Sequence, residues 1–497
     1  MQTTEHKVSG NFKKDTGYFR EIYKDCADIK MTEFVAGKEK DVRVFFAHIE
    51  VAVDVTALTS SSIGRMLGIL KDIDKQRLEE ELAKNVMGVA GIAYPQSIEE
   101  AAQGILIGDT IFLIEGCPYA IKVTDRGYPR MGIEAPDSEK VIRGVNEGFT
   151  DSIKTNTSMI RKKIKSTRLR VKEQFAGLRS HTNVDLVYMK DLVEEGMVEE
   201  IEKRLKEYEM DAVLDTGILE QLAEEKWYSP FPQFQTTQRP DRAAQAILDG
   251  KVVILSDNSN TALMVPTDWN SFLKTSDDYF TRAQTASFAR LIRYLAAFFA
   301  MTLPGLYVAM TNFHTQLLPT SLLLSFWQAR LGVPFPAMFE VVLMELSFEL
   351  LREAGVRLPG AMGNTIGIVG GLIIGQAAVD ANIVSPIVVI VVAFTALCSF
   401  AIPNEEFAFA FRIIKFWFIF WSAKFGFFGF LAGGSMVLVH LTKLYSFGIP
   451  YLMPFAGKKG EGREDEKDSF LRFPLRFLKQ RPIYAAKDEK VKLKRKE

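Results

Sequence analysis

The chain has 497 residues, with 61 basic and 61 acidic side chains and 47% hydrophobic residues. This length predicts two or three domains rather than one, and the zero net charge gives no indication of a nucleic-acid partner. The three cysteines, Cys26, Cys117 and Cys398, show no CxxC spacing, which argues against a disulfide framework and against a zinc site.

The first half of the chain, to about residue 288, is polar and mixed in charge. Its N-terminus carries no apolar segment of the kind that directs secretion, so this half is expected in the cytosol. Charged helical segments alternate with short apolar strands, which predicts an α/β region. No Walker A loop, GxSxG, HExxH or Rossmann fingerprint is present, and the histidines are dispersed. We therefore expect neither an enzyme nor a cofactor or metal site.

Two segments of this half repeat each other without a gap. AAQGILIGDTIFLIEGCPYAIKV begins at Ala101, and AAQAILDGKVVILSDNSNTALMV begins at Ala243. Each copy is typical of a helix end capped by glycine, followed by a strand, a turn and a second strand. The repeat predicts two related α/β subdomains, at 40–150 and 173–288, after an N-terminal polar segment at 1–39.

The segment between the copies, residues 151–172, is strongly basic. From Lys154 to Lys172 it carries eight basic and no acidic side chains. We interpret it as a basic linker helix. Two roles stay open: a solvated connection between the subdomains, or a helix that binds anionic lipid or an acidic partner.

Residues 289–455 form a predicted transmembrane domain. An apolar run begins at Leu291 and continues from Leu295 to Met310, after Arg290 and Arg293. These arginines place that end of the run in the cytosol. The next stretch, 317–336, is too short and too interrupted for a simple crossing, so it is expected to be re-entrant or half of a broken span.

Two further apolar runs follow. Ile383–Ile402 is predicted to be a span. Phe407–Leu441 is too long for one crossing of ~20 residues, and we expect an interfacial segment to Lys415 and then a span from Phe416 to Leu441. The basic tail at 456–497 is expected to stay in the cytosol and to contact anionic lipid. With both ends on one side the number of crossings is even, and we expect four.

A predicted helix after Pro336 carries acidic residues among apolar ones. Ionisable groups at membrane depth usually mark an ion path or an internal pair. One interpretation is a cation path lined by Glu345 and Glu349. The alternative is a pair between Glu349 and Arg352, which lie on the same helix face.

Small residues recur every fourth position in the apolar stretch that follows, at Gly363, Gly367, Gly371 and Gly375. Such a ridge lets another helix approach closely in lipid. The opposite face presents, within about 80° of one another, the side chains of Thr365, Val369, Leu372, Gln376 and Asp380. This face suits the wall of a pore with a central apolar constriction. The alternative is that both faces are buried against neighbouring helices.

Five segments of the sequence carry a family resemblance. They are KWYSPFPQFQTTQRPDR, DDYFTR, PFPAMFEVVLMELSFELLREAGVRLP, TIGIVGGLIIGQAAVDANIVSP and SFGIPYLMPF, in that order along the chain. They resemble the A subunits of spore germination receptors, the GerA family of endospore-forming bacteria. A related SpoVAF-like branch shares the membrane motifs, and the resemblance leaves it open as an alternative, an ion channel that amplifies the germination signal rather than one that responds to nutrient directly.

The resemblance implies a nutrient-responsive receptor subunit in the inner membrane of the spore, with cytosolic N- and C-terminal regions and a multi-span helical bundle. It implies assembly with a permease-like B subunit and a lipoprotein C subunit, and a homo-oligomer of A subunits that forms a monovalent-cation channel. Two other classes stay in view. A secondary transporter would need paired broken helices, and the sequence has one glycine-rich helix without a second copy. A structural scaffold for a permease-like partner needs no conduction at all.

Overall fold

The computed structural model describes residues 6–37, 41–50, 91–124, 143–357, 373–456 and 465–493, with the single positions 39, 68, 70, 71, 135, 136, 139 and 371. The chain divides into two compact units. The α/β unit contains Met1–Glu224, Phe234–Pro266 and Lys479–Glu497, and the helical unit contains Glu225–Gln233 and Thr267–Leu478.

The α/β unit contains two five-stranded sheets of the same topology, with strand orders β1-β2-β4-β5-β3 and β6-β7-β9-β10-β8. All neighbouring strands are antiparallel. The strands are β1 Ile29–Ala36, β2 Val42–Ile49, β3 Ile92–Ala93, β4 Thr110–Ile114, β5 Ile121–Val123, β6 Leu169–Ala176, β7 Thr182–Met189, β8 Gln235–Thr237, β9 Val252–Ser256 and β10 Ala262–Val265. The α/β class predicted for this half is confirmed.

The aligned repeat folds as the predicted unit of helix, strand, turn and strand. Its helices, Ile98–Ile107 and Pro240–Leu248, are each followed by a glycine, Gly108 or Gly250, with φ of 97° and 96°. A left-handed residue ends a helix at low cost only when it lacks a Cβ. Both copies therefore have a glycine at the same position, directly after the helix. The second copy also carries the helices Met197–Leu205 and Thr216–Ala223.

The repeat extends beyond the aligned segments. Within the predicted polar segment 1–39, helix Phe12–Ile22 precedes β1, and β1 is the edge strand of the first sheet. Helix Ile153–Lys163 precedes β6 in the second sheet in the same way. The N-terminal segment is thus part of the first sheet rather than separate from it.

The basic segment 151–172 differs from the predicted linker helix. Its helix ends at Lys163, and its last residues begin β6. Ile153 and Ile160 belong to the core that also contains Ile247, so this helix packs on the second sheet. Arg161 is fully buried, and its guanidinium makes two hydrogen bonds to Asp28, of 2.8 and 2.9 Å. A buried and paired cation is not available to lipid or to a partner protein.

A small acidic cavity of about 20 Å³ lies in the α/β unit, lined by Asp28, Glu50, Glu173 and Asp185 among others. This volume can hold one water molecule. Asp185 is buried, and its carboxylate accepts a hydrogen bond of 3.0 Å from the Thr157 hydroxyl. Burial raises the pKa of Asp185 to about 7, although the bond from Thr157 opposes the change.

Asp185→Asn is expected to stabilise the protein at pH 8 and to leave it nearly unchanged at pH 4. An ordinary aspartate has a pKa near 4, so the folded state holds this proton more tightly than the unfolded state. Stability is then highest below about pH 4 and falls as the pH rises towards 7. We expect a gain of roughly 2–4 kcal/mol at pH 8, measured as thermal unfolding of the purified chain against pH. Glu173→Gln, an exposed carboxylate of the same cavity, is the control, and identical profiles for both variants would refute the prediction.

The helical unit consists of short and long helices followed by a two-stranded ribbon. The elements are helices Trp269–Leu273, Asp277–Phe280, Ala283–Asn312, Thr320–Arg330, Ala337–Arg357, Pro386–Phe400 and Glu405–Thr442, and strands β11 Tyr445–Ser446 and β12 Ile449–Pro450. Residues 371 and 373–380 are also helical. Among the described residues, two helical segments, Ala283–Asn312 and Glu405–Thr442, are long and apolar enough to cross a membrane by length and composition, and the second of them bends back on itself. The expected four-span bundle stays a prediction.

Helix Glu405–Thr442 is a helical hairpin, and not the predicted lead-in followed by a span from Phe416. Gly426 departs from helical geometry, with φ 61° and ψ −139°. Trp417 Nε1 donates to the carbonyl of Gly433 at 3.4 Å, whereas a straight helix would separate these residues by about 24 Å. The rings of Phe418 and Phe430 are 5.2 Å apart for the same reason. The chain therefore reverses direction at Gly426.

Gly426→Ala is expected to destabilise the hairpin by about 1–3 kcal/mol, because non-glycine residues are strained in this region of φ and ψ. An added Cβ would also lie 2.8 Å from Cβ of Phe313. The measurement is the monodisperse fraction and the melting temperature in detergent. The control is Gly448→Ala, which shares a positive φ of 81° but has open space around it. A loss for Gly426→Ala no larger than the loss for Gly448→Ala would show that the close contact is unimportant.

The predicted basic tail, 456–497, packs against the rest of the protein over its described residues. Residues 465–478 belong to the helical unit, and residues from Lys479 belong to the α/β unit. In the α/β unit, the amide of Ala486 donates to the carbonyl of Leu192 at 2.8 Å. The Lys251 ammonium lies 4.4 Å from the centre of the Tyr484 ring.

Candidate functional site: a charge network between apolar helices

The helix Ala337–Arg357, here called the glutamate helix, places its acidic residues in different surroundings. Glu340 is fully buried. One of its carboxylate oxygens accepts from the amide of Ser385 at 2.8 Å, and the other lies 3.2 Å from the Arg330 guanidinium. Ser385 is the N-cap of helix Pro386–Phe400, where a carboxylate satisfies a free amide and is favoured by the helix dipole. Glu340 is therefore a structural residue that joins two helices.

Glu345 and Glu349 lie one turn further along and face the first half of the helical hairpin. The Lys415 ammonium lies 2.6 Å from Glu345 and 2.8 Å from Glu349. The Arg412 guanidinium lies 3.1 Å from the second oxygen of Glu349. Glu345 and Glu349 are four residues apart on one helix, and Arg412 and Lys415 are three residues apart on the other. Both spacings keep the side chains on one face of their helix, so the two faces can pair.

This charge network is largely withdrawn from solvent. The side chains of Glu345 and Lys415 are 1% and 4% exposed. Isolated charges are costly in such surroundings, and pairing with good hydrogen-bond geometry offsets that cost. One oxygen of Glu345 has no hydrogen-bond partner among the described residues, so the cost is not fully offset.

The alternative pair between Glu349 and Arg352 is not formed. Glu349 pairs with Lys415 and Arg412, and the Arg352 guanidinium lies 4.8 Å from the ring centre of Phe400. Helical spacing correctly placed Glu345, Glu349 and Arg352 on one face. The cationic partners come from another helix, which same-helix spacing does not reveal.

The glycine ridge and the predicted pore face are only partly described. Gly363, Gly367, Thr365, Val369 and Leu372 lie outside the described residues. A Cβ added at Gly371 would meet no atom within 4 Å, and one at Gly375 would lie 3.5 Å from Val389. Gln376 and Asp380 are exposed, and the Gln376 amide donates to the Asp380 carboxylate at 3.0 Å. The pore-lining and helix-packing roles of these residues stay predictions.

A second network, at the start of helix Ala283–Asn312, was not predicted. Arg290 is fully buried. Its guanidinium lies 3.0 Å from Asp278 and 2.8 Å from Asp468. The Lys274 ammonium lies 3.1 Å from Asp468, and the Tyr279 hydroxyl donates to the same carboxylate at 2.6 Å. The network fastens the tail residue Asp468 to the first turns of the helix.

Both aspartates of this network have altered acidity. Burial alone would raise the pKa of Asp468, but the Lys274 ammonium and the Arg290 guanidinium outweigh it and hold that pKa well below its ordinary range. Burial likewise opposes ionisation of Asp278, and Arg293 and Arg290 lower its pKa below the ordinary value. Both carboxylates are thus ionised at neutral pH and bind their cations as charged groups.

The described residues contain no group of three or more His, Cys, Asp or Glu side chains that could hold a metal ion. What they contain is a duplicated α/β unit and a helical unit whose long apolar helices carry buried, paired charges. This combination defines a class of protein that has a folded polar region and membrane-length helices in one chain.

The chain belongs to the GerA family. The family model described as "Bacillus/Clostridium GerA spore germination protein" matches residues 17–484. The family relationship predicted from the five sequence segments is therefore confirmed. The family is one of germination proteins and not a known class of enzyme.

Several curated proteins are similar over most of their length. "Uncharacterized membrane protein YfkQ" of Bacillus subtilis (strain 168) is 36% identical over 479 residues, which cover 96% of this chain and 92% of that protein. "Spore germination protein KA" of the same organism is 34% identical over 485 residues, 98% of this chain and 88% of that protein. "Spore germination protein GerLA" of Bacillus cereus is 38% identical over 416 residues, 84% of each chain.

The chain is also similar to a solved structure. It is the N-terminal domain of the A subunit of the Bacillus megaterium spore germinant receptor GerK3, with 23% identity and a TM-score of 0.42. The match covers 53% of this chain and 98% of that structure.

Proposed function

We propose that this chain is the A subunit of a nutrient-responsive spore germination receptor that conducts monovalent cations across the inner membrane of the spore. In this proposal copies of the chain form a homo-oligomer and work with a permease-like B subunit and a lipoprotein C subunit. Support comes from the family relationship and from named germination proteins at 34% and 38% identity. The two membrane-length helices support membrane association.

The observation that carries the conduction proposal is the position of Lys415. Its ammonium lies within 2.8 Å of two carboxylates between apolar helices. An ammonium has the charge of a monovalent cation and is bound by the same kind of oxygen ligands. Charged groups at membrane depth are costly and usually mark an ion path or an internal pair. We infer that in the resting state Lys415 occupies the place that a permeating cation takes when the helices separate.

The helical residues 371 and 373–380 belong to the proposed subunit contact and pore wall. Gly371 has open space beside it, so its face of the helix is available to a neighbouring copy of the chain. The face with Gln376 and Asp380 is exposed and polar, which suits the wet end of a pore.

The test is the ion conductance of the purified chain alone in liposomes. Cation current supports the channel, and substrate counter-flow without current would indicate a transporter. Glu349→Gln is the informative variant. A conducting role predicts weaker cation preference at a normal protein level, and normal conductance at a normal level would refute that role. Glu353→Gln, an exposed acid on the same helix, is the control.

The second candidate is a structural scaffold for a permease-like partner. The observation that favours it is that Lys415, Glu345 and Glu349 are already paired inside one chain, as helix packing alone would require. A scaffold gives no current in liposomes, and its Glu349→Gln variant loses folded protein rather than cation preference, because the loss of one partner weakens a buried network.

A further inference from the structure

Large aromatic side chains are exposed at one end of the helical unit. Trp227 and Tyr228 are 84% and 61% exposed, and they begin a proline-rich segment, Trp227–Gln233, which contains Pro230 and Pro232. Exposed tryptophan and tyrosine carry a large apolar body and a polar edge. Side chains of this kind suit a boundary between an apolar and a polar medium.

Hydrogen bonds fix the place of this pair on the helical hairpin. The hydroxyl of Ser229 lies 2.9 Å from Nε2 of His440, and the Lys226 ammonium donates to the carbonyl of Lys443. Both partners lie in or next to the last turn of helix Glu405–Thr442. The aromatic pair therefore lies at the end of an apolar helix rather than along it.

A second exposed cluster lies in the tail. Phe470, Phe473 and Phe477 are between 42% and 48% exposed. The tail is held at the start of helix Ala283–Asn312, because the amide of Arg472 donates to the Ser287 hydroxyl at 3.0 Å. Phe470 also packs on Tyr294 of that helix, with ring centres 4.4 Å apart.

The two clusters share one end of the helical unit. Phe231 packs on His440 near the end of the hairpin and on Phe407 in its first turn, with ring centres 6.2 Å apart in both cases. Phe407 belongs to the core that contains Ala296 and Ala297 of helix Ala283–Asn312. The start and the end of the hairpin therefore lie at the level of Ala296 and Ala297, two to three residues from Tyr294, on which Phe470 packs.

Basic side chains accompany the aromatic ones. Lys226 and Lys443 lie beside Trp227, and the Arg476 guanidinium lies 4.9 Å from the centre of the Phe477 ring. Lysine and arginine at the ends of apolar helices are attracted to anionic headgroups.

We propose that Trp227, Tyr228, Phe470, Phe473 and Phe477 form an interfacial belt that docks in the headgroup region of an anionic bilayer, with Lys226, Lys443 and Arg476 beside the lipid phosphates. The belt continues the apolar surface of the helical unit at the level where the hairpin begins and ends, beside Tyr294 of helix Ala283–Asn312. This inference rests on the proposed membrane insertion of the helical unit. It goes further, because it assigns a lipid contact to specific residues of the tail and of the proline-rich segment.

Tryptophan quenching by brominated lipid tests the belt in the full chain. The chain is reconstituted into vesicles that carry bromine either high on the acyl chains or near the bilayer centre. The quenching of Trp227 is the part of the fluorescence quenching that disappears in the variant Trp227→Phe. The quenching of Trp417, on the hairpin, is obtained in the same way from Trp417→Phe. We expect shallow bromine to quench Trp227 more than deep bromine. We expect deep bromine to quench Trp417.

These two tryptophans separate the failure of the belt from the failure of the proposed function. If Trp417 is quenched by deep bromine and Trp227 by neither lipid, the helices are inserted and the belt is refuted. If neither residue is quenched, membrane insertion itself fails and the belt fails with it. Deep quenching of Trp227 would also overturn the belt, because the residue would then lie within the hydrocarbon.

Lipid preference tests the basic residues. With brominated phosphatidylglycerol and brominated phosphatidylcholine compared at equal fractions, Trp227 should be quenched more by the anionic lipid. Lys443→Gln should reduce this preference by up to about fivefold, the equivalent of about 1 kcal/mol for one lysine beside an anionic surface. Lys206→Gln, a solvent-exposed lysine of the α/β unit, is the matched control. An equal preference in all three proteins would refute the anionic selectivity.

Discussion

Lys415→Met is expected to remove most of the folded protein from the membrane. The substitution leaves Glu345, and one oxygen of Glu349, without the ammonium that lies within 2.8 Å of both residues. Breaking a buried ion pair by removing one partner costs about 3–5 kcal/mol, because an uncompensated charge stays buried. The measurement is the amount of protein in the membrane fraction, together with its melting temperature in detergent.

The double variant Glu345→Gln with Lys415→Met makes this prediction sharper. It removes one charge of each sign and leaves Glu349 paired with Arg412, at 3.1 Å. Replacing a buried pair as a whole is often nearly neutral, so the double variant should regain much of the protein lost in the single one. If Lys415→Met alone is as abundant and as stable as the parent chain, the network does not hold these helices together.

The α/β fold could be predicted well from the sequence, because its signals are local. Each copy of the repeat brings its own helix cap, strands and turn, and Gly108 and Gly250 mark the same step in both. A helix cap acts within a few residues, so a repeat in sequence becomes a repeat in structure. The helices that begin at Phe12 and Ile153 were not predicted to be repeats of each other. They occupy the same position in the two copies, but the sequences of their buried faces differ.

The hairpin at Gly426 could not be predicted from hydropathy, because only Ser422 and Lys424 interrupt the apolar residues around the turn. Hydropathy treats FWSAKFGFFGFLAGG as one apolar run. The reversal depends on one glycine with a positive φ and on a close backbone approach between Gly429 and the carbonyl of Trp421. Such contacts are tertiary. Lys424 lies exposed next to the turn.

The sequence predicted the acidic residues of the candidate site but not their basic partners. The apolar surroundings of Glu345 and Glu349 identified the unusual carboxylates, because the cost of burying a charge is visible in the sequence. Their partners lie 63 to 70 residues away, and helical spacing carries no information at that separation. Asp468 was missed for the same reason, since an aspartate in a charged tail has no local feature that marks it as buried.

Arg290→Met is expected to release the tail and to cost about 3–5 kcal/mol, because Arg290 bridges Asp278 and Asp468 in a buried site. Tail release can be measured as tryptic cleavage after Arg472, which is 4% exposed in the folded protein. Asp468→Asn should also expose this bond, since it removes the charge that binds Lys274 and Arg290. Glu466→Gln, which alters an exposed carboxylate two residues away, should leave cleavage at the parental rate.

The pH dependence of tail release distinguishes this charge network from ordinary packing. The pKa of Asp468 is depressed in the folded protein, so its contribution to stability is fully present above its unfolded pKa of about 4 and is lost as the pH falls through the folded value. In this experiment the chain is exposed briefly to acid, the released tail is trapped covalently, and cleavage after Arg472 is then assayed at neutral pH. We expect the cleavage to rise when the pH of the acid exposure is below about 4. In Asp468→Asn, cleavage should be high and independent of that exposure. A parent chain whose tail is released equally at pH 3 and pH 7, or a variant that keeps the parental pH dependence, would show that packing of Phe470 and not the charge on Asp468 holds the tail.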